Sequence, residues 1–488
     1  MMEAMEHFDL CIIGSGTGNA LIDERFAERR VALVDQGIFG GTCLNNGCIP
    51  TKMFVVPADL AISPLASPQV NVQLQLKGIS FDAVRDRIFG RTDQISSDGR
   101  RWREESTNVS VFPFRAQFRD PHTLELGGYE ISAGEFVIAA GSRPRMPQWE
   151  GLEDPEVRKY IHTSDTIMRL PQLPRRMVIL GGGAIAAEFA HIFSGFGSKV
   201  TVVHRSPAML RNEDTTISER FTELLSRRVP LRLNQNVSSI ALSEVDQGVT
   251  VIATDVNNIE YLYPADAVLV ATGRTPNSDT LHLDAAGVRV DDDGFIAVDE
   301  WQRTSAHHIW ALGDVCHPAM LKHVANAEGR AVQHNLLYPD DLHKAEHDVV
   351  PHAVFSHPQV ASVGKTQQEL ATSGVDYVSV VQDYSSVAYG WAMNDQDHLV
   401  KVLAERSSGR LLGAHIIGPQ ASSLIQPLIQ AMSFGQTALE VARGQYWIHP
   451  ALPEVVENAL LAVEEQRKVP GHPGHQAWEI AGDSGYPL

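Results

Sequence analysis

Two stretches of this chain repeat one design. Phe8–Ile13 is a short apolar run that ends in Gly14-Ser15-Gly16-Thr17-Gly18-Asn19, and Arg176–Leu180 is another that ends in Gly181-Gly182-Gly183-Ala184-Ile185-Ala186. In the first, Ala20–Arg29 has helical spacing and a second apolar run, Val31–Val34, ends at Asp35. In the second, the next strand is Lys199–Val203. Strand, glycine turn, helix and strand make a βαβ unit, and glycines at that turn let a pyrophosphate approach the backbone at a helix N-terminus. Gly14 and Gly16 with Asn19, and Gly181 and Gly183 with Ala186, are the candidate dinucleotide loops, although Asn19 stands where Gly or Ala is usual. Two such units predict an α/β fold with two Rossmann-like dinucleotide-binding domains, or one duplication with a silent copy.

The two units differ at the end of the second strand. Asp35 can accept from a ribose hydroxyl. His204-Arg205, with Arg211 just beyond, offers no acid there, and a basic cluster suits the 2′-phosphate of NADP instead. The bland alternative is that Arg205 and Arg211 are solvated surface charges.

Between the units lies Gly40-Gly41-Thr42-Cys43-Leu44-Asn45-Asn46-Gly47-Cys48-Ile49-Pro50-Thr51-Lys52, which holds two of the four cysteines. Its glycines suit tight turns, and the run from Pro50 reads as a helix start. A thiolate at a helix N-terminus is stabilised there, and two cysteines closing on one turn form a strained, reactive pair. Two unrelated cysteines or half a zinc site are the alternatives, but Cys11 and Cys316 are isolated. A second chemical focus is Trp447-Ile448-His449-Pro450-Ala451-Leu452-Pro453-Glu454. His449 can shuttle protons near neutral pH and Glu454 can orient its ring, which thiol–disulfide exchange requires.

The motif GGTCxNxGCxPxK, in this order with the fingerprints and the late His–Glu, resembles the flavoprotein disulfide reductases over essentially Phe8 to Glu464. The resemblance implies a glutathione reductase-like architecture, with the two Rossmann-like domains followed by a C-terminal α+β dimerisation domain. Its divisions are a first FAD-binding part (1–147), an NADPH-binding domain (148–270), a second FAD-binding part (271–345), a dimerisation domain (346–468) and a disordered tail (469–488). FAD and NADPH are the implied cofactors. Cys43 and Cys48 are the implied redox disulfide, with Cys48 nearer the flavin and Cys43 attacking substrate. His449 and Glu454 are the implied dyad, supplied by the other subunit of a homodimer. Lys52 and Glu188 match an ion pair beside the flavin and nicotinamide. Gly41 and Thr42 of the dithiol segment, Gly141 and Gly273 in two strand-end motifs, Gly313-Asp314, and Ala325 beneath the ring complete the implied flavin contacts. The strongest likeness is to members that reduce mycothiol disulfide (mycothione), on Phe39–Phe54, Ser385–Met393 and Ala442–Ala459. The implied partner is therefore this small disulfide, with Asp23 or Glu24 as candidate acceptors for its hydroxyls; lipoamide is the alternative substrate.

Composition limits the other classes. The formal net charge is -19 with no Lys/Arg cluster, so nucleic acid and anionic membrane surfaces are poor partners. No apolar run reads as a membrane span, the N-terminus lacks a signal-peptide core, and four cysteines in 488 residues fit a reducing compartment; the expected location is cytoplasmic. His343 and His347 are spaced as helical neighbours without a zinc motif, so they read as a solvated face and no metal is expected. The insert near Ser63–Gly78 has no assignment.

Overall fold

The computed structural model describes residues 5–245 and 247–469. The first sheet carries Val109–Phe112, Val31–Val34, Glu6–Ile13 and Tyr129–Ile138 side by side in parallel. Tyr129–Ile138 is shared at its other edge: its early residues pair antiparallel with Thr123–Leu126, and its last three pair parallel with Ile309–Ala311. The chain thus leaves the first sheet after Ile138 and rejoins it only at Ile309.

The excursion contains the second sheet, all parallel, in the order Leu231–Arg232, Lys199–Val203, Arg176–Leu180, Ala267–Val270, Ile161–His162. An antiparallel sheet of Asn236–Leu242, Val249–Thr254 and Glu260–Ala265 lies beside it, and no motif announced it. The C-terminal part holds a five-stranded antiparallel sheet, with strands His352–Val354, Val360–Gly364, Leu411–Ile417, Leu399–Glu405 and Tyr377–Asp383 in spatial order, closed by the helix Pro453–Arg467. Strands buried on both faces, such as Ala267–Val270, are continuous apolar runs, as parallel sheets require.

Several local expectations are corrected. Ala20–Arg29 is not an α-helix: it holds two 3₁₀ turns, Gly18–Leu21 and Glu24–Phe26. The reason is Arg103, whose guanidinium takes the Asn19 and Ile22 carbonyls at 2.7 and 2.8 Å, acceptors a helix would have used. The Asn19 amide oxygen also accepts from Arg103, at 2.6 Å, which accounts for Asn at that position. The dithiol helix begins at Cys48 rather than at Pro50, runs through Pro57 and Pro64, and ends at Ala66. Together with its flanking turns it makes a run, Gly41–Val70, that is long and apolar enough to span a membrane, contrary to expectation. One face is accounted for by packing: Phe54, Val55 and Ala58 meet Phe189, Phe193 and Phe196 across the helix Ala184–Gly195. Its other face leaves Val56, Leu60 and Leu65 exposed. His347 is half-buried rather than on a solvated face, bonding the buried Glu328 at 2.9 Å, whereas His343 is exposed and stacks on His334. The expectation for residues 470–488 falls outside the described residues.

A buried ionic contact joins the second sheet's domain to the C-terminal one. Lys401 and Asp214 are 2% and 0% exposed and meet at 2.7 Å, with Thr216 as the second acceptor of Lys401. Burial alone would push the Asp214 carboxyl up, but the ammonium outweighs it and the net shift is downward. The pair therefore adds stability above the unfolded carboxylate range and loses it as pH falls through the lowered value. Lys401→Met strands a buried carboxylate and is expected to cost about 3–5 kcal/mol at neutral pH. Urea unfolding measures this, and the deficit should shrink in acid, where Asp214 of the variant is protonated.

Candidate active site

The two glycine loops are built the same way. Gly14 has φ 112° and a Cβ there would sit 2.2 Å from the Ala139 carbonyl oxygen; Gly181 has φ 137° and would meet the Ala271 oxygen at 2.2 Å. Only glycine fits such a backbone approach. Each loop thus lies on one of the strand-end motifs, where Gly141 and Gly273 also have positive φ. Those motifs pair with each other, Ser142–Pro144 antiparallel to Arg274–Pro276. Arg274 donates to the Ser142 hydroxyl at 2.7 Å, and that hydroxyl donates to Asp314 at 2.6 Å. Gly313 precedes Asp314 with φ 78°, and Ala325 is the side chain a Cβ on it would meet. Ser142 and Arg274 were not singled out from sequence, although both stand in the repeated motif.

The dithiol segment touches the first loop directly: a Cβ on Gly41 would lie 2.7 Å from the Gly16 Cα. Asp35 holds this loop together, accepting from the Ser15 N–H at 2.7 Å and from the Gly37 N–H at 2.8 Å. Gly14, Gly16 and Gly41 leave bare backbone, and Asp314 and the exposed Thr42 offer polar atoms, a set that fits the pyrophosphate and ribityl chain of FAD. At the second loop, Gly183 meets nothing within 4 Å of a Cβ and opens the helix Ala184–Gly195, with Ala186 fully buried behind it. The His204 ring lies on Gly182, and its Nε2 is buried without a hydrogen-bond partner. Burial, then Arg211 and Arg205, lower the His204 pKa. Both arginines are exposed, so the orphaned nitrogen and two free guanidiniums fit a nucleotide carrying an extra phosphate.

Cys43 lies in the middle of the short helix Gly41–Asn45, and Cys48 opens the next. Both are thiols here, Cys43 half-buried and Cys48 exposed. The pair is polarised. The hydrogen bond from Cys43, opposed by burial and aided by Lys52, draws the Cys48 pKa down to about 7. The same bond, with burial, raises Cys43. Lys52 lies one turn along from Cys48, and its ammonium bonds both Glu188 oxygens at 2.7 and 2.8 Å. Glu188 also accepts from the Phe355 N–H at 2.9 Å, while the Phe355 ring centroid lies 4.8 Å from the ammonium. Nothing in the sequence marked Phe355.

His449 and Glu454 are brought together: His449 Nδ1 and a Glu454 oxygen are 2.7 Å apart, and the second oxygen accepts from the Ala451 N–H at 3.1 Å. The His449 side chain is 72% exposed. Its helix, Pro453–Arg467, packs on Ala438–Arg443 and the C-terminal sheet, whereas the dithiol helix packs on Ala184–Gly195 and Phe81–Glu104. Within one chain, the dyad and the dithiol therefore belong to different packing units.

Comparison with known proteins agrees with this layout. The pyridine nucleotide-disulphide oxidoreductase pattern matches residues 8–330, and the dimerisation domain of the same family matches 350–460. Mycothione reductase of Mycobacterium tuberculosis is 49% identical, with 94% of this chain and all of that protein covered. Dihydrolipoyl dehydrogenase of Chlamydia muridarum is 31% identical over 95% of this chain and 99% of its own length. Among solved structures, the HOCl-induced flavoprotein disulfide reductase RclA from Escherichia coli superposes with a TM-score of 0.81 at 28% identity, covering 93% of this chain and all of that one. The chain belongs to the pyridine nucleotide-disulphide oxidoreductases, and it is an enzyme of the flavoprotein disulfide reductase type.

Proposed function

We propose that the enzyme reduces mycothiol disulfide to mycothiol at the expense of NADPH, as a cytoplasmic homodimer whose active sites combine residues of both subunits. The observation that carries the chemistry is the polarised dithiol, with Cys48 acidified beside Lys52 and Cys43 kept protonated. FAD and NADPH, when bound, supply the two electrons that open the Cys43–Cys48 disulfide. His449 takes the proton of Cys43, whose thiolate attacks one sulfur of the substrate disulfide; an S–S bond to Cys43 forms, the substrate S–S bond breaks, and the first thiol leaves with the proton returned by His449. Cys48 then attacks the Cys43 sulfur, releases the second thiol and restores the enzyme disulfide. Net, NADPH, one proton and one disulfide give NADP⁺ and two thiols. Glu454 holds the His449 ring in the orientation and tautomer this exchange needs.

The exposure of His449, and of Tyr446 and Ile448 beside it in the chain, supports a second subunit covering this surface. Val56, Leu60 and Leu65 on the dithiol helix form a further apolar stripe for the same cover, in preference to a membrane. The mycobacterial relative, similar along its full length, supports the substrate. Asp23 is tied to Arg25 and accepts from Gln333 at 3.0 Å, which leaves Glu24 exposed beside it as the free acid. An acid there repels the carboxylates of glutathione disulfide and accepts from the hydroxyls of uncharged mycothiol.

A side-by-side turnover assay decides the substrate. Mycothiol disulfide should be reduced with a kcat/KM at least about 100-fold above glutathione disulfide, since like charges in a cleft cost several kcal/mol, and lipoamide, which offers no hydroxyls to the acid, should also be turned over very weakly. Comparable values for glutathione disulfide would reject the assignment, and Glu24→Arg should shift preference toward it. The thiol roles are read optically. The two-electron-reduced enzyme should show a long-wavelength thiolate-to-flavin band that grows in with a midpoint near pH 7, because Cys48 is drawn down to about 7. Cys43→Ser keeps the band and Cys48→Ser abolishes it; retention in Cys48→Ser means the roles are reversed. Sharing of the site is tested by exchanging inactive Cys43→Ser with inactive His449→Ala subunits. Heterodimers should regain one working site, and no recovery after proven exchange places the whole site in one chain.

A further inference from the structure

We infer that His317, Glu328 and His347 form a binding site for one divalent cation of the zinc type. The three residues come from three separate elements: the turn after Asp314, the helix Lys322–Leu337, and the segment before His352–Val354. One nitrogen from each imidazole and one carboxylate oxygen all lie within 4.8 Å of one another. Two imidazoles and a carboxylate are a ligand set that zinc takes in tetrahedral sites with a water in the fourth place, and imidazole also suits copper and nickel.

Ligand placement is the main argument, and the local charge is compatible with it. Glu328 is 0% exposed, yet its bonds are to the Gly313 N–H at 2.6 Å and to His347 at 2.9 Å, with no lysine or arginine among them. Of the other buried carboxylates, Glu188 and Asp214 each hold a lysine, while Glu213 and Asp395, like Glu328, face an imidazole. The ring centroids of His317 and His347 are 4.4 Å apart, so charging both rings at once is unfavourable. A divalent ion supplies the missing positive charge and leaves both rings neutral. The Gly313 N–H then serves as the outer-shell donor that orients the carboxylate.

The site needs limited rearrangement. Donors on a tetrahedral ion of this kind are about 3.3 Å apart. His317 and His347 are both half-buried, so their rings can close on the ion and the ion can enter. His317 gives up the bond it accepts from the Ala319 N–H, and each ring binds through one nitrogen with its proton on the other. Occupation would fasten residues 338–350, between the two family-matched parts of the chain, to the Gly313-Asp314 turn.

The test uses FAD-loaded enzyme carrying Cys43→Ser and Cys48→Ser, so that the dithiol cannot take the metal. After chelation and dialysis against Zn²⁺, one ion per chain should be retained and the thermal midpoint should rise. X-ray absorption should show nitrogen and oxygen neighbours only. His347→Gln and His317→Asn should each weaken retention by roughly ten-fold or more. The exposed cluster His334, Asp341 and His343 is the control, and His343→Asn should retain zinc. Metal-free melting of each variant separates lost binding from lost folding. Absence of stoichiometric zinc, or retention unchanged in both His317→Asn and His347→Gln, overturns the site.

Discussion

The ion pair between Lys52 and Glu188 is the contact on which the site's geometry rests. Lys52 belongs to the helix that starts at Cys48, Glu188 to the helix after the second glycine loop, and the Phe355 N–H that completes Glu188 to the edge of the C-terminal sheet. Three separately built parts of the chain meet at one carboxylate. Glu188 is 10% exposed, so removing either partner strands a charge in poor solvent. The pair fixes the ammonium one turn from Cys48, where it lowers the thiol pKa. Helix packing makes that placement rigid: on Gly195 a Cβ would lie 3.3 Å from the Ala58 carbonyl, so the two helices lie close together.

A second organising fact is the repeated unit. Each glycine loop rests on a strand-end carbonyl, Ala139 in one case and Ala271 in the other, and the segments after those strands pair as a short ribbon. The ribbon carries the chain out of the first sheet and back. It also feeds the Arg274, Ser142 and Asp314 relay, so the connection between the two units holds the Asp314 carboxylate in place.

Much of this was legible because it lies in short, local patterns. Glycines at a strand–helix turn, a dithiol at a helix start and a His five residues before a Glu are local in the chain, and the structure keeps each together. Strands Leu399–Glu405 and Leu411–Ile417 are legible to the residue, since buried apolar runs bounded by turn residues leave little freedom. The misreadings came from partners distant in sequence. Arg103, 84 positions from Asn19, unmakes a helix that spacing alone favours. Glu328 draws His347 in from what looked like solvent. Phe355 joins the site through its backbone, and no side-chain pattern reports that.

The late return of Ile309–Ala311 to the edge of Tyr129–Ile138 bears on how the protein is made. On a ribosome the first sheet lacks this edge strand until more than 311 residues have been synthesised, by which time the whole parallel second sheet, ending at Val270, has emerged. Domains fold as units during synthesis. The inserted nucleotide domain is therefore assembled before the flavin-side sheet can close, and the nascent chain carries an open strand edge through that interval. The order of construction is the reverse of the order of motifs along the chain.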